Sequence, residues 1–311
     1  MPRRDRKLQA YLELLRLPNV FTAIADVLMG AFVAVALAPH SPAAGVPVGI
    51  VSLLICTSGC LYLAGMVWND YFDRDKDAEQ RPARPIPSRR VPESAAQWIG
   101  SQLIVVGLVA AFTAAYFVGW RSGILALALA AAVLSYDGLL KETWLGPINM
   151  GLCRMLNVLL GMCVIADPWH QTHYLVAAGI GIYIVGVTGF ARTEAVVSNR
   201  FMLLAGALVM LAGLGTLAYF PNLVPKSYVS GRLETWYLFW IVLAAQISWR
   251  CLRAVADPRP PMVQTAVKTC LLSLIVLDAA ITYAVQGWQG AILILGLLIP
   301  TMFLGKWIYS T

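Results

Sequence analysis

Ten apolar runs follow one another along the chain, near residues 17–38, 47–68, 96–118, 121–137, 148–166, 174–191, 201–220, 234–252, 268–286 and 289–308. Most approach the length of about 20 residues that carries a helix across the hydrocarbon core of a bilayer. Without water there, an open backbone goes unsatisfied, so only helices or closed barrels cross. With 59% of 311 residues hydrophobic and 13% charged, an ordinary soluble domain is excluded. The chain therefore reads as all-α, a polytopic membrane bundle of nine helices that form one domain over residues 1–311. The count becomes ten if the last two runs, separated only by Gln286-Gly287-Trp288-Gln289-Gly290, cross separately. The first run is too long for the core of a signal peptide and reads as a retained helix.

Charge placement sets the expected orientation. With the N-terminus inside, 19 of the 23 Lys and Arg residues fall in cytoplasmic segments, three (Arg121, Lys226 and Arg232) fall on the other side, and Arg154 lies within a span. Short cytoplasmic loops collect such residues, so the net charge of +7 reflects topology and implies no nucleic-acid partner. The expected location is a cell or inner membrane, with multiple passes.

The chemistry concentrates after the second run. Four of the ten aspartates lie in Asn69-Asp70-Tyr71-Phe72-Asp73-Arg74-Asp75-Lys76-Asp77, and Arg81-Pro82-Ala83-Arg84-Pro85-Ile86-Pro87-Ser88 follows. If the helix continues, Asp70, Asp73 and Asp77 share a stripe about 60° wide, with Asp75 on the far side. Three carboxylates on one stripe repel unless a cation sits between them. Hard oxygen donors favour Mg²⁺, which takes one or two carboxylates plus phosphate oxygens. The expected ligand is a diphosphate.

Asn69-Asp70-x-x-Asp73-x-x-x-Asp77 followed by Arg81-Pro82 and Pro85-Ile86-Pro87-Ser88 resembles the first aspartate-rich motif of the UbiA superfamily of intramembrane prenyltransferases. The resemblance extends to Arg16-Leu17-Pro18-Asn19, to Tyr136 through Lys141 and to the nine-helix plan. The stretch Gly146-Pro147-Ile148-Asn149-Met150-Gly151-Leu152-Cys153-Arg154-x-x-Asn157 looks most like the ebo-cluster branch of UbiA-like proteins. The resemblance implies two pseudo-repeats of about four helices around a cavity that takes a prenyl diphosphate and a small-molecule acceptor. It implies that Asp70, Asp73 and Asp77 hold Mg²⁺, with Asn69 as a further oxygen ligand or hydrogen-bond partner. Lys141, at the family's Tyr-to-Lys spacing, joins Arg81, Arg84 and Arg192 as diphosphate contacts.

Two departures stand out. After the sixth span, where the family carries several aspartates, Ala191 to Arg200 offers only Glu194 with Ser198 one turn on, beside Arg192. Arg89 stands where the family has Gly after Pro-Ser, which predicts a different turn. The first departure keeps open a protein that binds or transports a prenyl lipid without turning it over. A CDP-alcohol phosphotransferase also uses aspartates at a membrane face, but its Asp-Gly-x-x-Ala-Arg pattern is absent.

Asp26, Arg154 and Asp278 fall within apolar runs, where ionisable groups face the bundle interior or a wet cavity. Arg154 can pair with either aspartate to join helices, or stand with Asn157 in the cavity wall. The six cysteines read as small apolar residues, His40, His170 and His173 as polar loop residues, and Trp120, Trp169, Trp236 and Trp288 as interfacial anchors. Gly181 and Gly186 miss the helix-dimer spacing by one, so the oligomeric state stays open.

Overall fold

The protein is described here as a computed structural model, which covers residues 3–38, 46–225 and 231–308, with side chains from Leu8 to Gly305. His40 and Lys226 lie outside the described residues. The described residues are helical throughout, without strands.

The helices are α1 (Arg3–Leu15), α2 (Val20–Leu37), α3 (Val48–Phe72), α4 (Arg74–Gln80), α5 (Glu93–Val118), α6 (Arg121–Ser135), α7 (Gly146–Met162), α8 (Gln171–Ala191), α9 (Arg200–Ala218), α10 (Leu233–Ala256), α11 (Pro260–Leu295) and α12 (Leu298–Ile308). Among the described residues, eight segments are long and apolar enough to cross a membrane. At 15 and 17 residues α6 and α7 are the shortest helices in the ring, and α11 spans the expected break near 286–290. Gly287, at φ 69° and ψ −162°, is non-helical and kinks α11 into two helical pieces at the place the sequence predicts.

The long helices close a ring in which α2, α3, α5, α6, α7, α8, α9, α10 and α11 each pack on the next and α11 returns to α2. The two halves meet where α2 packs on α7, the first helix of each half. Glycine permits that meeting. A Cβ on Gly30 would strike the Val158 carbonyl oxygen, and one on Gly161 would strike that of Val27. Both obstacles are backbone, which cannot swing aside. Gly161→Ala is therefore expected to cost on the order of 1–3 kcal/mol, read as a lowered Tm in detergent, whereas Gly215→Ala, which meets open space, is expected to leave Tm unchanged. Gly181 and Gly186 serve the same close packing within the chain, against Gly151 and against Gly206 and Met210.

The outer faces are apolar. Val105, Val109, Phe112, Phe117, Ile241 and Val242 are exposed, as lipid-facing side chains are. Some expectations are corrected by packing. Trp236 is buried against Phe220 and Trp240, its indole N–H donating to the Ala218 carbonyl at 2.9 Å, rather than anchoring at an interface. His173 is buried in the first turn of α8, where its Nδ1 accepts the His170 backbone N–H at 3.0 Å, so it caps a helix instead of sitting in a polar loop.

Candidate functional site

The acidic stretch straddles a break in the helix. Alpha3 ends at Phe72, Asp73 is the junction, and α4 resumes at Arg74, with the Asp77 N–H donating to the Asp73 carbonyl at 2.8 Å. Asp70 and Asp77 are buried, and each carboxylate of the stripe meets a base. Arg84 Nη1 bridges Asp70 at 3.1 Å and Asp77 at 2.6 Å, Arg16 Nη2 reaches Asp70 at 2.5 Å, and Lys141 pairs with Asp73. The cation expected between the carboxylates is thus, for Asp70 and Asp77, the Arg84 guanidinium. The proline-rich loop 81–91 delivers it. Arg89 adopts φ 57°, so the turn keeps a glycine-like backbone despite its side chain, contrary to the altered turn expected, at a cost of roughly 1–2 kcal/mol. Arg16 is also left-handed, at φ 45°, where α1 bends into α2.

A cavity of about 610 Å³ opens among these pairs. Asn69, Asp73, Asp77, Arg81, Arg84, Lys141, Arg192 and Glu194 line its mouth; Leu61, Met66, Leu129, Val133, Ile184 and Val187 line its body; Arg154 and Asn157 face it deeper in. Asp70 is turned out of the wall toward its two arginines. Ser198 does not line it: its hydroxyl donates to the Thr193 carbonyl at 3.0 Å and its N–H to Pro258 O at 3.0 Å, tying down the loop after α8. Burial raises the Glu194 carboxyl above its ordinary range, while Arg81 pulls it down.

Arg16, Asp137 and Lys76 also line the cavity, although the motif reading assigned them no role. Residues 136–140 form one π turn closed by the Lys141 N–H on the Tyr136 carbonyl at 2.9 Å. In a regular helix Tyr136 and Lys141 would point about 140° apart. The wider turn brings Tyr136, Asp137 and Lys141 all to the cavity, as such turns often do at working sites. Asp137 Oδ1 accepts the Asn69 side-chain N–H at 2.9 Å, which turns the Asn69 carbonyl oxygen away from Asp137. Lys76 pairs with Glu142 at 2.6 Å, and this holds the Glu142 carboxyl below its ordinary range and the Lys76 ammonium above its own. Both are exposed, so solvent screens the pair. The π turn carried no signal in residue type, and the Asp137 partner is 68 residues away.

The deep end answers the question of Arg154. Its guanidinium donates to Asp26 Oδ2 at 2.9 Å and to Thr22 Oγ1 at 2.8 Å and lies 5.5 Å above the Tyr62 ring. Asn157 donates to the same Asp26 oxygen at 3.0 Å and to the Ala23 carbonyl at 2.9 Å, and accepts the Ser58 hydroxyl at 2.6 Å. Pairing and wall placement coexist, because α7 packs directly on α2 and both residues still face the cavity.

The mouth donors fit Mg²⁺ in one particular way. Among the described residues no group of three or more His, Cys, Asp and Glu converges to hold an ion by itself. Yet Asn69, Asp73 and Asp77 present hard oxygens to the same opening, the set that Mg²⁺ uses when phosphate oxygens complete its shell.

A membrane-crossing bundle whose cavity joins charged pairs at its mouth to an apolar body defines a receptor for an amphiphile, anionic head outward and hydrocarbon tail within. The chain belongs to the UbiA prenyltransferase family, whose model matches residues 27–261. It is 28% identical over 238 residues to the digeranylgeranylglyceryl phosphate synthase of Ignicoccus hospitalis, 68% of this chain and 72% of that one. It is 30% identical over 159 residues to that of Methanococcoides burtonii, 50% of this chain and 55% of that one. The chain thus spans only about half the length of the latter relative. A solved structure of a UbiA homologue from Archaeoglobus fulgidus bound to DMAPP and Mg²⁺ has the same fold, with a TM-score of 0.58 at 12% identity over 88% of this chain and 98% of that one. One from work on digeranylgeranylglyceryl phosphate synthase gives 0.65 at 17% identity over 89% and 98%.

Proposed function

We propose that this protein transfers a prenyl group from an allylic prenyl diphosphate to a small-molecule acceptor inside the membrane, with Mg²⁺ at the mouth of the cavity. The observation that carries this reading is the continuity of one cavity from the acid–base pairs of Asp73, Asp77, Arg84 and Lys141 to an apolar body sized for a hydrocarbon tail. Family membership supports the reaction class. The Mg²⁺ and diphosphate bound in the Archaeoglobus homologue support the cofactor. Predominance of Lys and Arg on the side of the motif supports a cytoplasmic mouth.

Asn69, Asp73 and Asp77 would hold the ion, which when bound neutralises charge on the diphosphate oxygens. Lys141, Arg81 and Arg192 flank the same opening and stabilise the negative charge that gathers on the departing diphosphate. Arg84 and Arg16 fix Asp70, and Asp137 fixes Asn69, so the donors are held before substrate arrives. The apolar body keeps water from the allylic cation, and its low dielectric strengthens the charge contacts at its edge. Arg154 and Asn157 offer the polar partner for an acceptor reaching the deep end.

A second reading has its own observation. All three carboxylates of the stripe already face bases, and Glu194 alone represents the second acidic stretch, which suits a protein that holds a prenyl lipid or carries it without turnover. Purified protein supplied with Mg²⁺, an allylic prenyl diphosphate and the lipids and metabolites that co-purify with it separates the two. Transfer predicts release of inorganic diphosphate and a prenylated product. Saturable binding with neither sinks the transfer reading.

A further inference from the structure

Behind the cavity wall, α2 and α11 bury two acids against each other. Asp26 and Asp278 are both 0% exposed, and the Asp278 carboxyl lies within reach of that of Asp26. Asp26 Oδ2 is taken by Arg154 and Asn157. Asp26 Oδ1 and both oxygens of Asp278 have no hydrogen-bond partner, and neither has the buried hydroxyl of Thr282, one turn along the same face of α11. The charged and titratable groups facing the pair are Arg154 from α7 and, beyond it, Tyr62 from α3. With both acids ionised, two acids and one guanidinium would leave a single negative charge uncompensated in the middle of a membrane bundle, where such a charge is costly and marks an ion or proton position.

We propose that Asp26 and Asp278 form a site for one monovalent cation, H⁺ or Na⁺, clasped between α2 and α11. The residual charge of one sets the valence, since a divalent ion would leave a net positive charge in the same place. The oxygens are of the hard type that take such cations. Asp26 divides its work: Oδ2 holds Arg154 and Asn157 in the cavity wall, and Oδ1 faces the cation. The site is separate from the mouth and does not depend on prenyl transfer, because neither aspartate lines the cavity.

The test uses the full chain in detergent, with NaCl exchanged for N-methylglucamine chloride at constant ionic strength, and infrared spectra in H₂O and D₂O. A sodium occupant predicts a saturable rise in Tm with Na⁺ that weakens as pH falls and is absent in Asp278→Asn. A proton occupant predicts indifference to Na⁺ and a protonated-carboxyl C=O band that Asp278→Asn removes and Asp278→Glu shifts. The unaltered protein is decisive even if a variant does not fold: no Na⁺ response together with no such band overturns the site. A band that survives unshifted in both variants, without a Na⁺ response, overturns it too.

Discussion

Asp73→Ala is expected to lower Mg²⁺-dependent release of diphosphate from an allylic prenyl diphosphate by a factor on the order of 10²–10³, the scale of losing one fixed electrostatic partner. Asp73 is the carboxylate of the stripe that faces the cavity while pairing with Lys141 across from the π turn. Its removal takes an oxygen from the ion site and leaves Lys141 without its acidic partner. Asp75→Ala is the control. Its side chain is 88% exposed on the opposite face, with only a 3.7 Å contact to Arg74, and its loss is expected to leave turnover unchanged. Single-turnover release measured for both variants checks the pair. Undiminished release by the Asp73 variant would remove the mouth from the mechanism.

The second large effect is an asymmetry between two buried aspartates. Asp26→Asn takes from Arg154 the one carboxylate it hydrogen-bonds, leaving Asp278 near it but without a direct contact, and breaking a buried pair from one side costs about 3–5 kcal/mol. Asp278→Asn removes a carboxyl whose oxygens have no hydrogen-bond partner and replaces it by a neutral group of the same shape, so stability is expected to stay within about 1 kcal/mol. Thermal unfolding of the two variants side by side reads the difference. A charge swap that restores folding should therefore join Arg154 to Asp26, across α7 and α2, rather than to Asp278. Equal destabilisation by both variants would mean that Asp278 also carries an essential partner.

Much of the candidate site's geometry was legible because it is local. Asn69, Asp73 and Asp77 are spaced by helical geometry, and the cavity receives all three. Asp70 obeys the same spacing and yet turns away, because Arg16 and Arg84, 54 and 14 residues distant, claim it. Asp137 was passed over because only a π turn, one residue wider than the helix that spacing assumes, aims it at the cavity along with Lys141. Ser198 was placed with Glu194 by their spacing of one turn, but the chain there is not helical, and the serine hydroxyl turns back to Thr193 while its N–H meets Pro258.

Sequence by itself determined that the chain crosses a membrane many times and that its acids gather at one end of α3, since apolar length and charge density are properties of consecutive residues. Which base neutralises which acid, how α2 and α7 meet through Gly30 and Gly161, and that two aspartates 252 positions apart share one arginine's charge were settled only by the closed ring of helices. Those are contacts between distant segments, and their energies exist only once packing has excluded water from between them.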